Sequence, residues 1–398
     1  MSRFLSYSPE QAYLIPPDVK QVLGGKHLCF FVHAMVERLD LRRFEQAYGD
    51  EGGVLYHPSL LLKVWLYAYM LGVTSSRRLE QRVREDLAFR YLAGGAQPDY
   101  WALNAFRRRH VRALNDVFVQ VLETAQKLGL ARIGTVAIDS TRVKANASAD
   151  RIEWVEQQRQ ERARRRRNVR AWQKACDAAD PNEGAGSSLG EASEKLQHLE
   201  VPAELEPLPK VKRSLTDADS RFLRERGGRF VLGYTGEIAV SEDHFIVATR
   251  VTQNVQDAAA LVPMVDEVER SCRQRPQRVL ADSGFYSNRN VAELSGRGID
   301  VYVPDSNLAC ELNGGGVAQG VERMPACDPH LLAMRQKLRT PEGQRRYRKR
   351  KTIVEPVFGV LKEQRGMRRF RLRGMEKVAI EWMLAAIAYN LGRLYVSQ

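Results

Sequence analysis

The sequence predicts a mixed α/β protein, in which a helical N-terminal region precedes a mixed sheet flanked by helices. Three observations predict this class. Apolar residues recur with helical spacing before residue 130, short β-rich runs alternate with helical segments between Gly134 and Pro304, and helical spacing returns over Pro341–Tyr395. With 398 residues, of which 44% are hydrophobic, the chain is long enough for two or three domains.

The first 130 residues predict a helical domain. Pro58 precedes the apolar run Leu60–Tyr67 and Gly72 follows it, which is the usual punctuation of a helix. Further helices are expected over Arg77–Asp86 and Tyr100–Leu114. Short helices with basic faces are typical of helix-turn-helix DNA readers, and a helical bundle with solvated arginines explains the pattern equally well.

The β-rich segments predict a sheet built from 131–149 and 213–398. The strand that starts at Gly134 is expected to end at Asp139, where a polar turn follows. We expect a hairpin of Arg229–Val240 and His244–Val251, two buried strands over Arg278–Asp282 and Gly298–Pro304, and helices over Asp257–Ser271, Asn288–Leu294 and Pro341–Tyr395.

A charged insertion over 150–212 interrupts this pattern. It contains Arg164–Arg167 in a predicted helix over 151–174, and a Gly- and Ser-rich stretch follows Pro181. We therefore expect a helical or weakly ordered segment outside the sheet. Its arginines could grip phosphates, but a solvated helix face is the commoner explanation of a charge run.

The charge of the chain favours a polyanionic partner. There are 62 basic and 48 acidic residues, for a net charge of +14, and 331–398 alone holds 17 basic against 5 acidic residues. Nucleic acid is the usual partner of such a region, although a solubilising surface is the simpler alternative.

The five cysteines predict neither a disulfide framework nor a zinc site. No Cys-x-x-Cys pair occurs, and Cys327 with His330 lacks a second pair of ligands. The N-terminus lacks a signal pattern, and the apolar runs Leu60–Val73 and Val378–Leu391 are too short to span a bilayer. We expect no membrane partner and a cytoplasmic protein.

Three acidic residues stand out as candidates for chemistry. Asp139 and Asp282 each close an apolar run, where a carboxylate is costly unless a cation such as Mg²⁺ or Mn²⁺ compensates it. Glu355 precedes Pro356, which is expected in the first turn of a helix, so Glu355 would lie at the helix mouth. For each aspartate alone, a turn or capping role is the more common explanation. For Glu355 the alternative is a surface salt-bridged helix start, which does not explain the apolar Ile353 and Val354 beside it.

Four short blocks resemble segments of one family, and they follow the order of that family along the chain. The block with Tyr347, Glu355, Lys362 and Arg368–Gly374 resembles the Tyr–Arg–Glu–Lys signature of bacterial insertion-sequence transposases. Ala137-Ile-Asp-Ser-Thr and Asp282-Ser-Gly-Phe-Tyr resemble the segments of their two catalytic aspartates, and Tyr56-His-Pro, Ser76-Arg-Arg-Leu-Glu and Phe106-Arg resemble their helical N-terminal domain. The resemblance covers nearly the whole chain except about 150–212.

The resemblance implies an RNase H-like catalytic core, encoded by 131–149 and 213–398, behind an all-α DNA-binding domain of residues 1–130. It implies that Asp139, Asp282 and Glu355 are the catalytic residues and the ligands of two Mg²⁺ ions, which Mn²⁺ may replace. It further implies DNA contacts by Tyr347, Arg348, Lys351, Lys362, Arg365, Arg77 and Arg107.

The implied activity is cleavage of the ends of a DNA element followed by strand transfer into target DNA. In such sites two ions about 4 Å apart bind the scissile phosphate. The implied partners are double-stranded DNA, as terminal inverted repeats and as target, and a second copy in a homodimer. A cytoplasmic location at the bacterial nucleoid would follow.

The chain departs from the signature in two places. Lys351 stands four residues before the glutamate, where the signature has Arg, and lysine cannot bind a phosphate with two parallel hydrogen bonds. Tyr347 is one residue further from Glu355 than usual. Asp217, Asp219 and Asp257 compete for metal-ligand roles, but their turn or capping positions predict structural roles.

Three alternatives remain at the level of sequence. An RNase H-like nuclease without strand transfer would need no grip on a second DNA. A transposase-derived DNA-binding protein without catalysis would need a broken triad. A non-specific basic scaffold would leave the ordered motifs unexplained.

Overall fold

The computed structural model describes residues 18–48, 56–148, 151–154, 163–171, 212–224, 228–312 and 329–397. The Gly- and Ser-rich stretch of the insertion and Cys327 lie outside the described residues. Residues 163–171, which include the arginine run, form a helix whose side chains are all exposed. The arginine run therefore lies on a solvated helix, the commoner explanation of a charge run.

The N-terminal part is helical, as predicted. Its helices are Val19–Leu23, Leu28–Val36, Arg42–Glu45, Pro58–Met70, Ser76–Glu85, Leu87–Leu92, Tyr100–Arg109 and Val111–Lys127. Pro58 lies in the first turn of its helix, where a missing N–H costs no hydrogen bond, and Gly72 follows with a φ of 73°. The buried Trp65 donates its indole N–H to the carbonyl of Leu103 at 3.0 Å, which ties two helices together.

Eight strands are described: β1 Thr135–Lys144, β2 Ile152–Trp154, β3 Lys212–Ser214, β4 Arg221–Arg224, β5 Phe230–Ser241, β6 Ile246–Thr252, β7 Arg278–Leu280 and β8 Asp300–Tyr302. Six of them form one sheet, in the order β4-β5-β1-β7-β8, with β6 also paired to β5. Strand β1 is antiparallel to β5 and parallel to β7, which is parallel to β8. The path β6-β5-β1-β7-β8 is therefore the RNase H-like arrangement that the resemblance implies.

The remaining strands close the insertion. Strands β2 and β3 pair antiparallel, so the two ends of the insertion lie side by side. This two-stranded sheet is separate from the main sheet.

Helices connect and cover the sheet. The predicted β5–β6 hairpin is present, and His244 in its turn has a φ of 62°. A 3₁₀ turn over Asp257–Ala260 leads into the helix Leu261–Cys272. The other helices of this part are Asn288–Gly296, Ser306–Leu312, Pro329–Arg339 and Pro341–Gly359, and the last runs into a π-helical turn, Val360–Gln364.

The C-terminal helix, Met375–Val396, joins the sheet to the N-terminal helices. It packs against β6 on one side and against Pro58–Met70 and Val111–Lys127 on the other. The amide of Asn390 bonds the backbone of Ile246 at 2.8 and 2.9 Å. Because most of this helix is buried, the apolar run near its centre serves the protein core. No helix among the described residues combines the length and hydrophobicity needed to cross a membrane.

Two predicted boundaries near the candidate acids are wrong. Strand β1 does not end at Asp139 but continues to Lys144, because these residues pair with β5. The helix that carries Glu355 does not begin at Pro356 but at Pro341, where Thr340 caps the first turn. Pro356 lies inside this helix, and the π-helical turn follows shortly after it.

A third correction concerns the predicted helix Tyr100–Leu114. The helix ends at Arg109, and His110 adopts a non-helical conformation before the next helix starts at Val111. His110 is buried and contacts Tyr48 and Phe106. Tertiary packing around this ring therefore divides a segment that has continuous helical periodicity.

Candidate active site

The pairing of β1 with β7 brings two aspartates together. The parallel pairing of the two strands ends at Ala137 and Leu280. Two residues further along each segment stands an aspartate, Asp139 after Ala137 and Asp282 after Leu280. Since parallel strands present their carboxyl ends at one edge, both side chains emerge at the same place on the sheet. Asp139 is held in strand pairing with β5, whereas Asp282 caps the 3₁₀ turn Ser283–Phe285.

The helix Pro341–Gly359 supplies the third acid. Glu355 lies in its last turns, and Lys362 follows in the π-helical turn. Both side chains line the cavity that also holds the two aspartates, and its volume is about 520 Å³. The other lining residues are Ser140, Thr141, Arg142, Arg224, Asp257 and Phe358. The structure thus brings Asp139, Asp282 and the pair Glu355 and Lys362 from three separate segments to one cavity.

Asp139 is the most strongly perturbed of these acids. The pKa of its carboxyl is raised from 3.8 to about 6, mainly by burial and also by the charges of Asp282 and Asp257, against the lowering effects of Arg350 and of the Ser140 N–H. Its Oδ1 accepts from the backbone N–H of Ser140 at 2.8 Å, and its Oδ2 accepts from Arg350 Nη1 at 3.0 Å. Clustered carboxylates of this kind are stabilised by a cation.

A glycine keeps the space between two of the acids open. The backbone N–H of Gly284 donates to Asp282 Oδ1 at 2.9 Å. A Cβ at this glycine would lie 3.1 Å from Asp282 Oδ1 and 3.3 Å from Asp257 Oδ2. A larger residue would therefore press on both carboxylates.

The sequence predicts a structural role for Asp257, and the structure shows that this residue also lines the cavity of the acids. It accepts from Ser140 Oγ at 2.8 Å and forms an ion pair with Arg142 at 3.1 Å. Arg142 is anchored in turn by Thr235 Oγ1 at 2.9 Å. The local sequence around Asp257 indicates only that a helix starts after β6. It does not reveal that the 3₁₀ turn of Asp257 faces β1.

Asp217 and Asp219 have the structural contacts that their turn positions predict. Asp217 accepts from the hydroxyl of Tyr234 at 2.7 Å and from the N–H of Gly374 at 3.1 Å. Asp219 accepts from the N–H of Met375 at 2.9 Å, at the start of the C-terminal helix.

The arginine beside the acids is Arg350, which sequence reasoning missed. It is 9% exposed, and its guanidinium lies near the ring of Tyr347 as well as against Asp139. Lys351, which occupies the Arg position of the signature when counted back from Glu355, is exposed. It lines a neighbouring cavity of about 360 Å³ together with Tyr347 and Arg348. Counting forward from Tyr347, by the Tyr-x-x-Arg spacing, would have identified Arg350.

Arg107 does not occupy a position from which it could contact DNA. It is 2% exposed, donates to the carbonyl of Thr74 at 2.8 Å and pairs with the buried Glu381 at 3.4 Å. Its guanidinium also lies 4.4 Å from the ring centroid of Trp65. The expectation that Arg107 contacts DNA is therefore corrected: its charge stabilises the contact between the N-terminal helices and the C-terminal helix.

The last two predicted DNA contacts lie apart from the acids. Arg77 is exposed on Ser76–Glu85 and stacks on Tyr100 at 5.3 Å, so it can reach a partner. Arg365 is 8% exposed and lines another cavity. It does not line the cavity of Asp139, and its expected DNA contact stays a prediction.

The donor set at the cavity suits a hard divalent cation. Carboxylate oxygens are the preferred ligands of Mg²⁺ and Mn²⁺. Within the described ranges, no three His, Cys, Asp or Glu side chains converge closely enough to hold a metal in their present positions. Asp139 Oδ2 accepts from Arg350, so a cation at this site would share Asp139 with that guanidinium, and the acids would have to move closer together to hold it.

The sheet order and the acidic cavity together define an RNase H-like fold with a carboxylate site. Residues 210–391 match a family model described as Transposase DDE domain, and residues 18–109 match one described as Transposase domain (DUF772). The chain belongs to the DDE transposases of insertion sequences, and its function is DNA transposition. Asp139 lies outside both matched ranges, and neither match identifies individual site residues.

Two solved structures were also found. The pre-cleavage Mos1 transpososome is 11% identical over 96% of this chain and 98% of that chain, with a TM-score of 0.20. The Mos1 strand transfer complex is 10% identical over 89% and 97%, with a TM-score of 0.19. Such scores carry no argument, and the family rests on the two family models. No curated protein matches the chain.

Proposed function

We propose that the chain cuts the ends of a DNA element and joins them to target DNA, with Asp139, Asp282 and Glu355 as the catalytic residues. The observation that carries the proposal is the shared cavity of these three acids and Lys362. The partner is double-stranded DNA, as the excess of 17 basic over 5 acidic residues in 331–398 favours.

The three carboxylates would hold two divalent cations, with Mg²⁺ as the natural ion and Mn²⁺ as a substitute. When bound, such ions neutralise the scissile phosphate and lower the pKa of a bound water or hydroxyl. The residues of the chain orient the reaction. Glu355 is exposed on its helix and can close on the aspartates. Asp139 is held by the N–H of Ser140 in β1, and Asp282 by the N–H of Gly284 in the 3₁₀ turn.

Basic residues around the cavity would hold the DNA. Lys362 faces the cavity from the turn that follows Glu355, where it can bind the phosphate next to the cut. Tyr347, Arg348 and Lys351 line the neighbouring cavity, which would guide the same strand. Arg77 lies on the N-terminal helices, for which we propose end recognition.

Two copies of the chain would bring two ends together. The mass of the DNA complex in solution tests the dimer, because a complex with one copy per two ends would contradict it.

We propose that residues 1–130 recognise DNA, that 131–149 with 213–398 carry out catalysis, and that 150–212 are an insertion. The proposed location of the protein is the bacterial nucleoid.

The test is cleavage of a DNA fragment that carries the element's ends, with Mg²⁺ or EDTA. Glu355→Gln should abolish nicking in Mg²⁺ and leave the gel shift of the DNA unchanged. Glu342→Gln is the matched control, because Glu342 lies on the same helix, is 63% exposed and does not line the cavity, and its ion pair among the described residues is with Arg346. Equal cutting by Glu355→Gln would show that Glu355 has no catalytic role.

The same assay separates the two enzymatic alternatives. Nicked ends that never appear joined to a second DNA would indicate a nuclease without strand transfer. Binding without cutting by the wild type, in Mg²⁺ and in Mn²⁺, would indicate a DNA-binding protein without catalysis.

A further inference from the structure

A second cavity lies on the opposite face of the helix that carries Glu355. Thr352, Pro356 and Val360, spaced four residues apart, line it, whereas Glu355, Phe358 and Lys362 line the cavity of the acids. Its volume is about 550 Å³, and the C-terminal helix forms the other wall. The same helix therefore separates two cavities of different chemistry.

The polar group at this cavity is a buried guanidinium. Arg365 is 8% exposed, and among the described residues its buried Nη1 has no hydrogen-bond partner and its guanidinium forms no ion pair. The ring of Tyr389 lies 5.6 Å from the guanidinium carbon. Burial lowers the pKa of this guanidinium to about 10. A buried cation without a partner is costly, so such a group calls for an anion.

The surroundings of Arg365 are built to hold it. A Cβ at Gly392 would lie 2.8 Å from Arg365 Nη2, and one at Gly72 would lie 3.4 Å from its Cα. Gly72 also has a φ of 73°, which favours glycine. Gly392 therefore makes room for the guanidinium, and Gly72 makes room for the backbone that carries it.

A second arginine reaches the same cavity. Arg393 donates from Nη2 to the carbonyl of Asp243 at 3.3 Å, and its Nε is buried without a partner. Tyr389 and Val360 supply aromatic and apolar wall beside the two guanidiniums. Guanidinium groups bind phosphate oxygens through paired hydrogen bonds, and tyrosine rings stack on bases.

We propose that this cavity binds a nucleotide, with its phosphate on Arg365 and Arg393 and its base against Tyr389. The volume is within the range of small-molecule sites. The nucleotide could be free in solution or an unpaired nucleotide of bound DNA, because both present the same phosphate and base. The site is separate from the cavity of the acids, so it does not depend on the proposed catalytic roles.

The test is isothermal titration of the full chain with dTMP, with a short single-stranded oligonucleotide and with inorganic phosphate. Arg365→Met should weaken binding of dTMP or of the oligonucleotide by about 10-fold or more, the range for a lost hydrogen bond to a charged group. Arg368→Gln is the matched control, since this exposed arginine loses the same charge outside the cavity. It should leave the affinity within about 2-fold, as for a surface charge.

Gly392→Ala tests the same site without a change of charge. The added methyl group would displace the guanidinium of Arg365. Gly392→Ala should therefore weaken binding of the same ligand, and this test remains valid even if Arg365→Met does not fold. Loss of dTMP affinity would indicate a free nucleotide, and loss for the oligonucleotide alone would indicate a nucleotide of DNA. If Arg365→Met and Arg368→Gln bind alike, or if dTMP and the oligonucleotide both bind no tighter than inorganic phosphate, the proposal is wrong.

Discussion

Arg350 Nη1 lies 3.0 Å from Asp139 Oδ2, so a buried arginine occupies an oxygen that a metal ligand would need. Both side chains are at most 14% exposed. A guanidinium and a divalent cation both neutralise the ionised carboxylate and repel each other, so we expect the two to compete for Asp139. The ion pair also explains how clustered carboxylates are tolerated beside Asp139.

The first prediction concerns this competition. Arg350→Gln should bind Mn²⁺ several-fold more tightly at pH 8, because Asp139 loses its internal counter-ion. DNA cleavage should fall, because the DNA phosphate at the site loses the guanidinium of Arg350 as a partner. Titration of Mn²⁺ followed by electron paramagnetic resonance measures the affinity. Lys349→Gln is the control, an exposed lysine on the same helix. Unchanged or weaker Mn²⁺ binding by Arg350→Gln would contradict competition.

The second prediction concerns pH. Because burial raises the pKa of Asp139 from 3.8 to about 6, the folded protein binds this proton more tightly than the unfolded chain. This group therefore reduces stability as pH rises from about 4 to about 6, by roughly 3 kcal/mol at most. Asp139→Asn should remove this contribution. The free energy of unfolding, measured in EDTA at pH 4.5 and pH 7.5, checks it, and an identical pH dependence in both proteins would refute the assignment.

The third prediction concerns the buried pair of Arg107 and Glu381. Arg107→Met should destabilise the fold by about 3 kcal/mol, because it leaves a buried carboxylate without its partner. Glu381 Oε2 also accepts from the backbone N–H groups of Arg371 and Leu372, so the segment before the C-terminal helix should loosen as well. Urea unfolding measures the loss. Exposed Arg108→Met on the same helix should cost under about 0.5 kcal/mol.

The third prediction also separates two roles for Arg107. If Arg107→Met keeps its stability but loses DNA affinity, the arginine contacts DNA and the structural role is wrong.

The fourth prediction concerns the space between two carboxylates. Gly284→Ala should lower cleavage by about 10-fold or more, because its Cβ would press on Asp282 and Asp257 and misplace them by tenths of an ångström. Stability should change by less than about 1 kcal/mol, since the site is at the surface of the sheet. Gly296→Ala, where a Cβ meets open space, is the control. Equal cleavage by both variants would show that the spacing of these acids does not matter.

Local sequence predicted most elements and misplaced the boundaries at the site. The hairpin, the strands β7 and β8 and the N-terminal helices follow from periodicity and from residues such as Pro58 and Gly72. The end of β1 was predicted too early, because a polar residue after an apolar run was interpreted as a turn. Strand β5 overrides that signal by pairing with β1 as far as Lys144.

The sequence by itself determined the family, the mixed α/β class and the acids proposed for catalysis, because these depend on short motifs and their order along the chain. Tertiary structure alone decided which charged residues meet. Arg350 faces Asp139 from 211 residues away, and Arg107 faces Glu381 from 274 residues away. Arg107 supports the fold because it is buried with its internal partners Thr74 and Glu381, whereas the exposed Arg77 can reach DNA. Burial is a property of how distant segments pack, which no local pattern specifies.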